Sequence, residues 1–185
     1  MELAYGGEGV KVPIKRYMPC DLEQRINVCR KFDLVISLEV AEHLSEKRAS
    51  SFIEELTHLG DVILFGAAVP YQGGDHHINE QPITYWIDLF EKNGFIALDI
   101  IRPRVQYDKK IWWWYRQNTL IYVKKDSLIY SDFDQYKNNI PLNMVCYELY
   151  LEKVEMSLKW KRICENVIVK AMKKVHHFIK NNNKN

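Results

Sequence analysis

The chain has 185 residues, 26 Lys+Arg against 24 Asp+Glu, 47% apolar residues and 12% aromatics. That length suits one domain with a small appendage, and the apolar share excludes wholesale disorder. A net charge of +2 gives no global pull toward nucleic acid or membrane, no run of about 18 apolar residues can span a bilayer, and the start is not a signal peptide, so a cytoplasmic location is expected.

A short strand is expected around Ile14–Tyr17, followed by Met18-Pro19-Cys20-Asp21-Leu22. Phe32 to Leu38 is a nearly continuous apolar run of strand length, the pattern of a strand buried on both faces. Ser45 is an N-cap candidate for a helix whose apolar stripe is Ala49, Phe52, Ile53, Leu56 and Leu59, with Gly60 where it should stop. Asp61 to Val69 reads as a second buried strand, ended by Pro70. After a polar loop, Pro82 opens a helix with Ile83, Trp86, Ile87 and Phe90 on one face and Gly94 past its end. Phe95–Ile101 and Asn118–Val123 read as strands; no helix separates them, so they should pair antiparallel. Strands alternating with helices make an open α/β sheet.

Polar and turn residues gather over Asp126–Pro141, which places a domain edge there: residues 1–125 form the α/β domain and 126–185 a linker and basic tail. From Glu152 onward nine Lys or Arg face three Glu, a net +6 against −4 for the rest of the chain. Met144 to Lys180 reads as one long or broken amphipathic helix, either packed on its own domain with a solvated face or able to touch a membrane surface or acidic partner. Cys20, Cys29, Cys146 and Cys164 are too scattered for a zinc site and are expected as free thiols.

In open α/β sheets, ligands bind beyond the carboxyl ends of strands. Three segments fall there. The first is Met18 to Leu22. The second, Glu39-Val40-Ala41-Glu42-His43-Leu44, places two carboxylates and an imidazole directly after a buried strand. Glu39 can bind a ligand hydroxyl or amine and His43 can act as acid or base, while Glu42 and His43 can equally be helix-capping residues. The third, Val69 to Glu80, holds Asp75, His76, His77, Asn79 and Glu80. It reads as a substrate or plain surface loop, with Gly73-Gly74 allowing it to move as a lid. No metal is expected, because adjacent histidines seldom point at one ion and no H-E-x-x-H helix is present. Trp112-Trp113-Trp114-Tyr115 cannot all face one core. Hairpin packing is the expectation there, with an interface or base stacking beside Arg102, Arg104, Lys109 and Lys110 as alternatives, and no clear nucleic-acid partner follows.

Residues 32–44, from Phe32-Asp33-Leu34-Val35 through Glu42-His43-Leu44, resemble the fourth-strand motif of class I S-adenosylmethionine-dependent methyltransferases. Asp61 to Pro70 is similar to the fifth strand, His77-Ile78-Asn79-Glu80-Gln81 to the entry into the next crossover, and Trp114 to Asn118 to the last hairpin. The resemblance covers about residues 14–125. It implies a partial Rossmann-like sheet of parallel strands with a final antiparallel hairpin, and S-adenosylmethionine as cofactor. It places Asp21 on the adenine amine and Leu22, Ser37, Leu38 and Glu39 along the donor crevice. Glu42, His43 and His77 become base candidates, and Asn79, Trp114 and Tyr115 acceptor contacts. The acceptor would be a small molecule or glycan intermediate.

The family's first strand and G-x-G-x-G loop have no counterpart here; Gly6-Gly7-Glu8-Gly9 resembles a later turn. The expectation is therefore an N-terminally truncated domain with an open sheet edge. A non-catalytic remnant or split-enzyme half that binds a protein partner completing the sheet is the alternative reading.

Overall fold

In a computed structural model of the chain, residues 17–136 and 143–182 are described, with side chains through 174. The Gly6–Gly9 segment and most of the expected strand at 14–17 lie outside them. The chain divides into two compact units, residues 1–144 and 145–185.

The first unit is a mixed α/β layer around a four-stranded sheet. In chain order it comprises β1 (Val35–Leu38), α1 (Glu46–Leu59), β2 (Val62–Gly66), α2 (Ile83–Lys92), β3 (Phe95–Leu98), the short helices α3 (Arg102–Val105) and α4 (Trp113–Asn118), and β4 (Leu120–Lys124). Spatial order is β1-β2-β4-β3. β1 and β2 run parallel, and β4 lies antiparallel between β2 and β3. The α/β fold with its final antiparallel pair is thus as expected, with the last strand inserted inside the sheet. The last strand starts two residues later than expected, because Trp113 to Asn118 close one short helix before the chain extends.

Register places Val35, Ile63 and Tyr122 side by side, so these residues, together with Ser37 and Phe65, share one face. α2 covers that face with aromatics. Phe90 stacks on Tyr122 at 3.8 Å, and Phe65 meets both Trp86 and Phe90 at 5.3 Å. Such pairs add about 0.5–1.5 kcal/mol each to the area they bury. Burial of the Tyr122 hydroxyl pushes its pKa far up, keeping it neutral. On the opposite face, Tyr130, Phe133 and Tyr136 from the 3-10 segment Leu128–Tyr136 pack against Leu98, Ile100 and Val123.

That cover stops short of β1. Leu34 and Ile36 are 47% and 60% exposed, whereas Val35 and Ser37 on the helix-covered face are buried. The apolar run of β1 therefore reads as buried on both faces but is buried on one. Among the described residues, β1 has a strand neighbour only on its β2 side.

α1 stops at Gly60, whose backbone is extended. A Cβ there would fall 2.7 Å from the Phe32 carbonyl oxygen, so glycine permits the close approach that brings Phe32 beside residue 60 ahead of β1. Ser45 precedes α1 but makes no capping bond to it. Its hydroxyl and N–H both go to the Glu23 carboxylate, and these bonds hold that carboxyl below its ordinary pKa. Buried Arg48 completes the tie: Nε donates to the Leu22 carbonyl at 2.9 Å, and Nη2 to the Gln24 carbonyl at 2.9 Å and to Glu55 at 2.6 Å. Glu55 in turn accepts the Ile26 N–H at 2.8 Å. One guanidinium thus fixes the 22–26 segment onto α1, which sets where Leu22 meets the sheet.

The second unit contains α5 (Tyr147–Asn182), a single helix of 36 residues. Met156, Leu158, Trp160, Ile163, Val167 and Met172 on it are exposed. Among the described residues, no helix is long and apolar enough to cross a membrane. All four cysteines are free.

Because Arg48 and Glu55 are both nearly buried, at 7% and 11% side-chain exposure, removing one partner leaves an uncompensated charge. Glu55→Ala is expected to lower unfolding free energy by about 3–5 kcal/mol in urea titration, and the Arg48→Met/Glu55→Leu pair by much less.

Candidate functional site

At the carboxyl end of β1 the chain turns abruptly. Glu39 adopts φ +52°, a left-handed conformation that costs a non-glycine residue about 1–3 kcal/mol. Its N–H still reaches the Gly66 carbonyl at 2.9 Å, continuing the β1–β2 ladder by one bond. Its carboxylate is held by amides: Gln72 donates to Oε2 at 3.2 Å, and Asn118 donates to Oε1 at 3.4 Å. Asn118 also donates to Gln72 Oε1 at 2.9 Å, and Gln117 to Asn118 at 3.0 Å. Residues from the ends of β1, β2 and α4 therefore meet in one polar network.

The next residues, Ala41–His43, form a 3-10 turn that sends Glu42 inward and His43 to the surface. The Glu42 carbonyl accepts the N–H groups of Ile78 and Asn79 at 2.9 and 3.0 Å. Those two bonds stitch the loop after β2 onto the turn after β1.

The loop after β2 is shaped by Glu80. Its carboxylate accepts the N–H groups of Tyr71 and Gly73, each at 2.7 Å, and faces His77 Nδ1 at 3.1 Å. Tyr71 and His76 sit at φ +66° and +56°. The Gly73-Gly74 pair, expected as a hinge, lies in a loop tied across by one side chain. Gly74 packs on the His77 ring so closely that a Cβ would fall 2.3 Å from Nε2. Asp75 and His76, weighed with the loop, point into solvent.

These ties bring together the three base candidates. One ligand atom from each of Glu42, His43 and His77 lies within 4.8 Å of the others, and the two imidazoles meet edge to face at 4.9 Å. Glu42 is fully buried, and neither of its carboxylate oxygens makes a hydrogen bond. Burial, and then the neighbouring Glu39 carboxylate, push its pKa up to about 8. A carboxyl so placed is protonated at neutral pH. Asn79 is buried behind the turn; Gln81 donates to its Oδ1 at 2.9 Å and its Nδ2 has no partner.

The residues assigned to the donor crevice divide. Leu22, Ser37 and Leu38 line one groove of about 480 Å³ along β1, with Ile26, Phe52 and Leu56. Ser37 Oγ is buried there without a partner. Glu39 turns instead to Gln72 and Asn118. Asp21 is exposed, and its Oδ1 accepts the Glu23 N–H at 3.0 Å in a local turn. Trp114 and Tyr115 lie on α4 about 6 and about 4.5 Å along the helix axis from Asn118. Trp114 stacks on exposed Trp112 at 4.9 Å. Sequence reading misses the supporting roles of Gln72, Glu80 and Asn118. Only the spacing of Glu80, three residues after His77, hints at one of them.

No family model and no curated protein match the chain. Solved structures similar to part of it include magnesium protoporphyrin IX methyltransferase (ChlM) from Synechocystis PCC 6803 with bound SAH. It is 20% identical, with 59% of this chain and 51% of that one covered and a TM-score of 0.41. The LepI complex with SAM is 12% identical, with 62% and 32% covered and a TM-score of 0.43. The chain spans about half or less of the length of these structures. At these scores no residue role passes from them to this chain.

The raised Glu42 pKa makes a signed prediction. The folded state holds a proton that the unfolded state, with the ordinary value of 4.5, gives up. Stability is therefore fully present below about 4.5 and declines as pH rises toward about 8. In EDTA-containing buffer the melting temperature should fall across that window, and Glu42→Gln should flatten the slope and lie above wild type at high pH.

Proposed function

We propose that this chain is an S-adenosylmethionine-dependent methyltransferase domain acting on a hydroxyl of a small-molecule or glycan acceptor. The α/β sheet with its inserted antiparallel strand supports this together with the resemblance of residues 32–44. The observation that carries the reading is the join at the end of β1. A groove containing the orphaned Ser37 Oγ is followed, within six residues, by Glu42 and His43, which His77 joins from the loop after β2.

The groove suits an adenosyl group. Leu22, Ile26 and Leu38 offer apolar walls to a ring, and Ser37 Oγ offers a buried hydroxyl lacking a partner. Asp21, next to Leu22, is the carboxylate for the exocyclic amine. When bound, the donor supplies an electrophilic methyl on a sulfonium. Everything else falls to the protein: the acceptor must be aligned and its proton removed. The exposed face of His43 and the ring of His77, oriented by Glu80, are the proton acceptors, while Glu42, neutral when buried, forms the inner wall. Asn79, Trp114 and Tyr115 are the proposed acceptor contacts.

A second reading is supported by the bare half-face of β1. Exposed Leu34 and Ile36, beside a β1 edge with no strand neighbour among the described residues, suit a protein partner that adds to the sheet. On that reading the domain binds a partner rather than transferring methyl groups by itself.

Calorimetric titration with S-adenosylhomocysteine separates the two. Saturable binding at micromolar to sub-millimolar concentration, weakened at least tenfold by Ser37→Leu filling the groove wall, is expected for the methyltransferase. No binding by a folded chain would overturn it and leave the partner reading.

A further inference from the structure

Glu42 is an anomaly wherever the proton sits. Its side chain is 0% exposed, and both oxygens lack hydrogen bonds. Buried polar groups are almost always satisfied, and a bare one commonly marks a site for a water or an ion. Around it stand the His43 and His77 imidazoles, the Glu39 carboxylate and the Glu42 and Ala68 backbone N–H groups, with no Arg or Lys to neutralise it.

The surroundings are those of a ligand set. His77 Nδ1 is taken by Glu80 at 3.1 Å, which leaves Nε2 for a further partner. A carboxylate behind the far nitrogen fixes ring and tautomer in metal-ligating histidines. Glu80 is itself anchored by the Tyr71 and Gly73 N–H groups, so the support is rigid. Gly74 packs against the ring, where a Cβ would fall 2.3 Å from both Cε1 and Nε2, so glycine is what lets the ring sit in this loop. His43 stands at the surface on the other side, free to swing.

We propose that Glu42, His43 and His77 bind one divalent transition-metal ion of borderline softness, with Glu80 as the positioning residue for His77. Two nitrogens and one carboxylate oxygen suit zinc, cobalt or manganese better than magnesium or calcium, and leave positions open for an oxygen ligand. The three ligand atoms lie within 4.8 Å of one another. Bonds of about 2.0–2.2 Å bring tetrahedral ligand atoms to roughly 3.4 Å apart, so the three side chains must close in on the ion, and the exposed His43 has room to turn toward it. The sequence expectation of no metal rested on the adjacent pair His76-His77. The structure separates that pair and joins His77 to His43 instead.

The site stands whatever reaction the domain performs. Under the proposed methyl transfer, which this consequence alone depends on, an acceptor hydroxyl bound at an open position would lose its proton more readily, and the imidazoles would hold the ion rather than the proton.

The test is titration of the EDTA-stripped full chain with Co²⁺, read by visible d–d absorption, with Zn²⁺ competition by calorimetry. One Co²⁺ per chain at micromolar affinity, displaced by Zn²⁺, is expected. His43→Ala, an exposed change that should leave the fold intact by far-UV circular dichroism, should weaken it at least tenfold. Glu42→Gln should do the same without losing stability, and Glu80→Gln should cost about 10–100-fold. His58→Ala and the tail pair His176→Ala/His177→Ala should change nothing. Absence of Co²⁺ binding by the folded chain at millimolar concentration would overturn the proposal. So would binding that survives His43→Ala and is lost in the tail variant. Cobalt binding without S-adenosylhomocysteine binding would keep the ion site and remove the methyltransferase reading.

Discussion

The two bonds from the Ile78 and Asn79 N–H groups to the Glu42 carbonyl, at 2.9 and 3.0 Å, are the constraint on which the site depends. They join the loops that leave adjacent parallel strands, a junction that the Gln72–Glu39 bond reinforces. His77 precedes this stitch by one residue, and His43 follows Glu42 by one. Once the backbones are tied, the two rings must meet. The side chain of Glu42 lies close to both, buried at the same crossing that its carbonyl secures.

Around that crossing the structure divides labour between carboxylates. Glu80 is satisfied, accepting two backbone N–H groups and facing one imidazole, so it shapes its loop. Glu39 is satisfied by the amides of Gln72 and Asn118, so it binds α4 to the strand ends despite an unfavourable backbone angle. Glu23 and Glu55 hold the 22–26 segment against α1. Glu42 alone among these five has no bonded partner, and its raised pKa follows from that position. Four carboxylates build the scaffold and the fifth is buried without a bonded partner.

The sheet shows the same economy on a larger scale. One face is filled by the aromatic stack of Phe65, Trp86, Phe90 and Tyr122, and among the described residues the other is covered over β3 and β4. The uncovered β1 carries the groove on its flank, with Leu22, Ser37 and Leu38 in its wall. Binding surface is thus concentrated on the strand that is least enclosed. That is where a ligand or a further strand can approach without displacing core side chains.

The sequence by itself determined the order of the main strands and helices, because apolar runs of strand length and helical stripes ended by Gly60 and Gly94 are local signals; it signalled no helix between β3 and β4, where the structure places the short α3 and α4. It also named Glu42, His43 and His77 as chemical candidates, since polar residues directly after buried strands are costly unless used. Only the tertiary structure decided which of them meet. Spacing paired His77 with His76, but a left-handed turn at Glu39 and the anchoring by Glu80 pair it with His43 across thirty-four positions of chain. The half-exposure of β1 was equally invisible. An apolar strand looks the same whether one face or both are covered, and what covers it comes from segments far away in sequence.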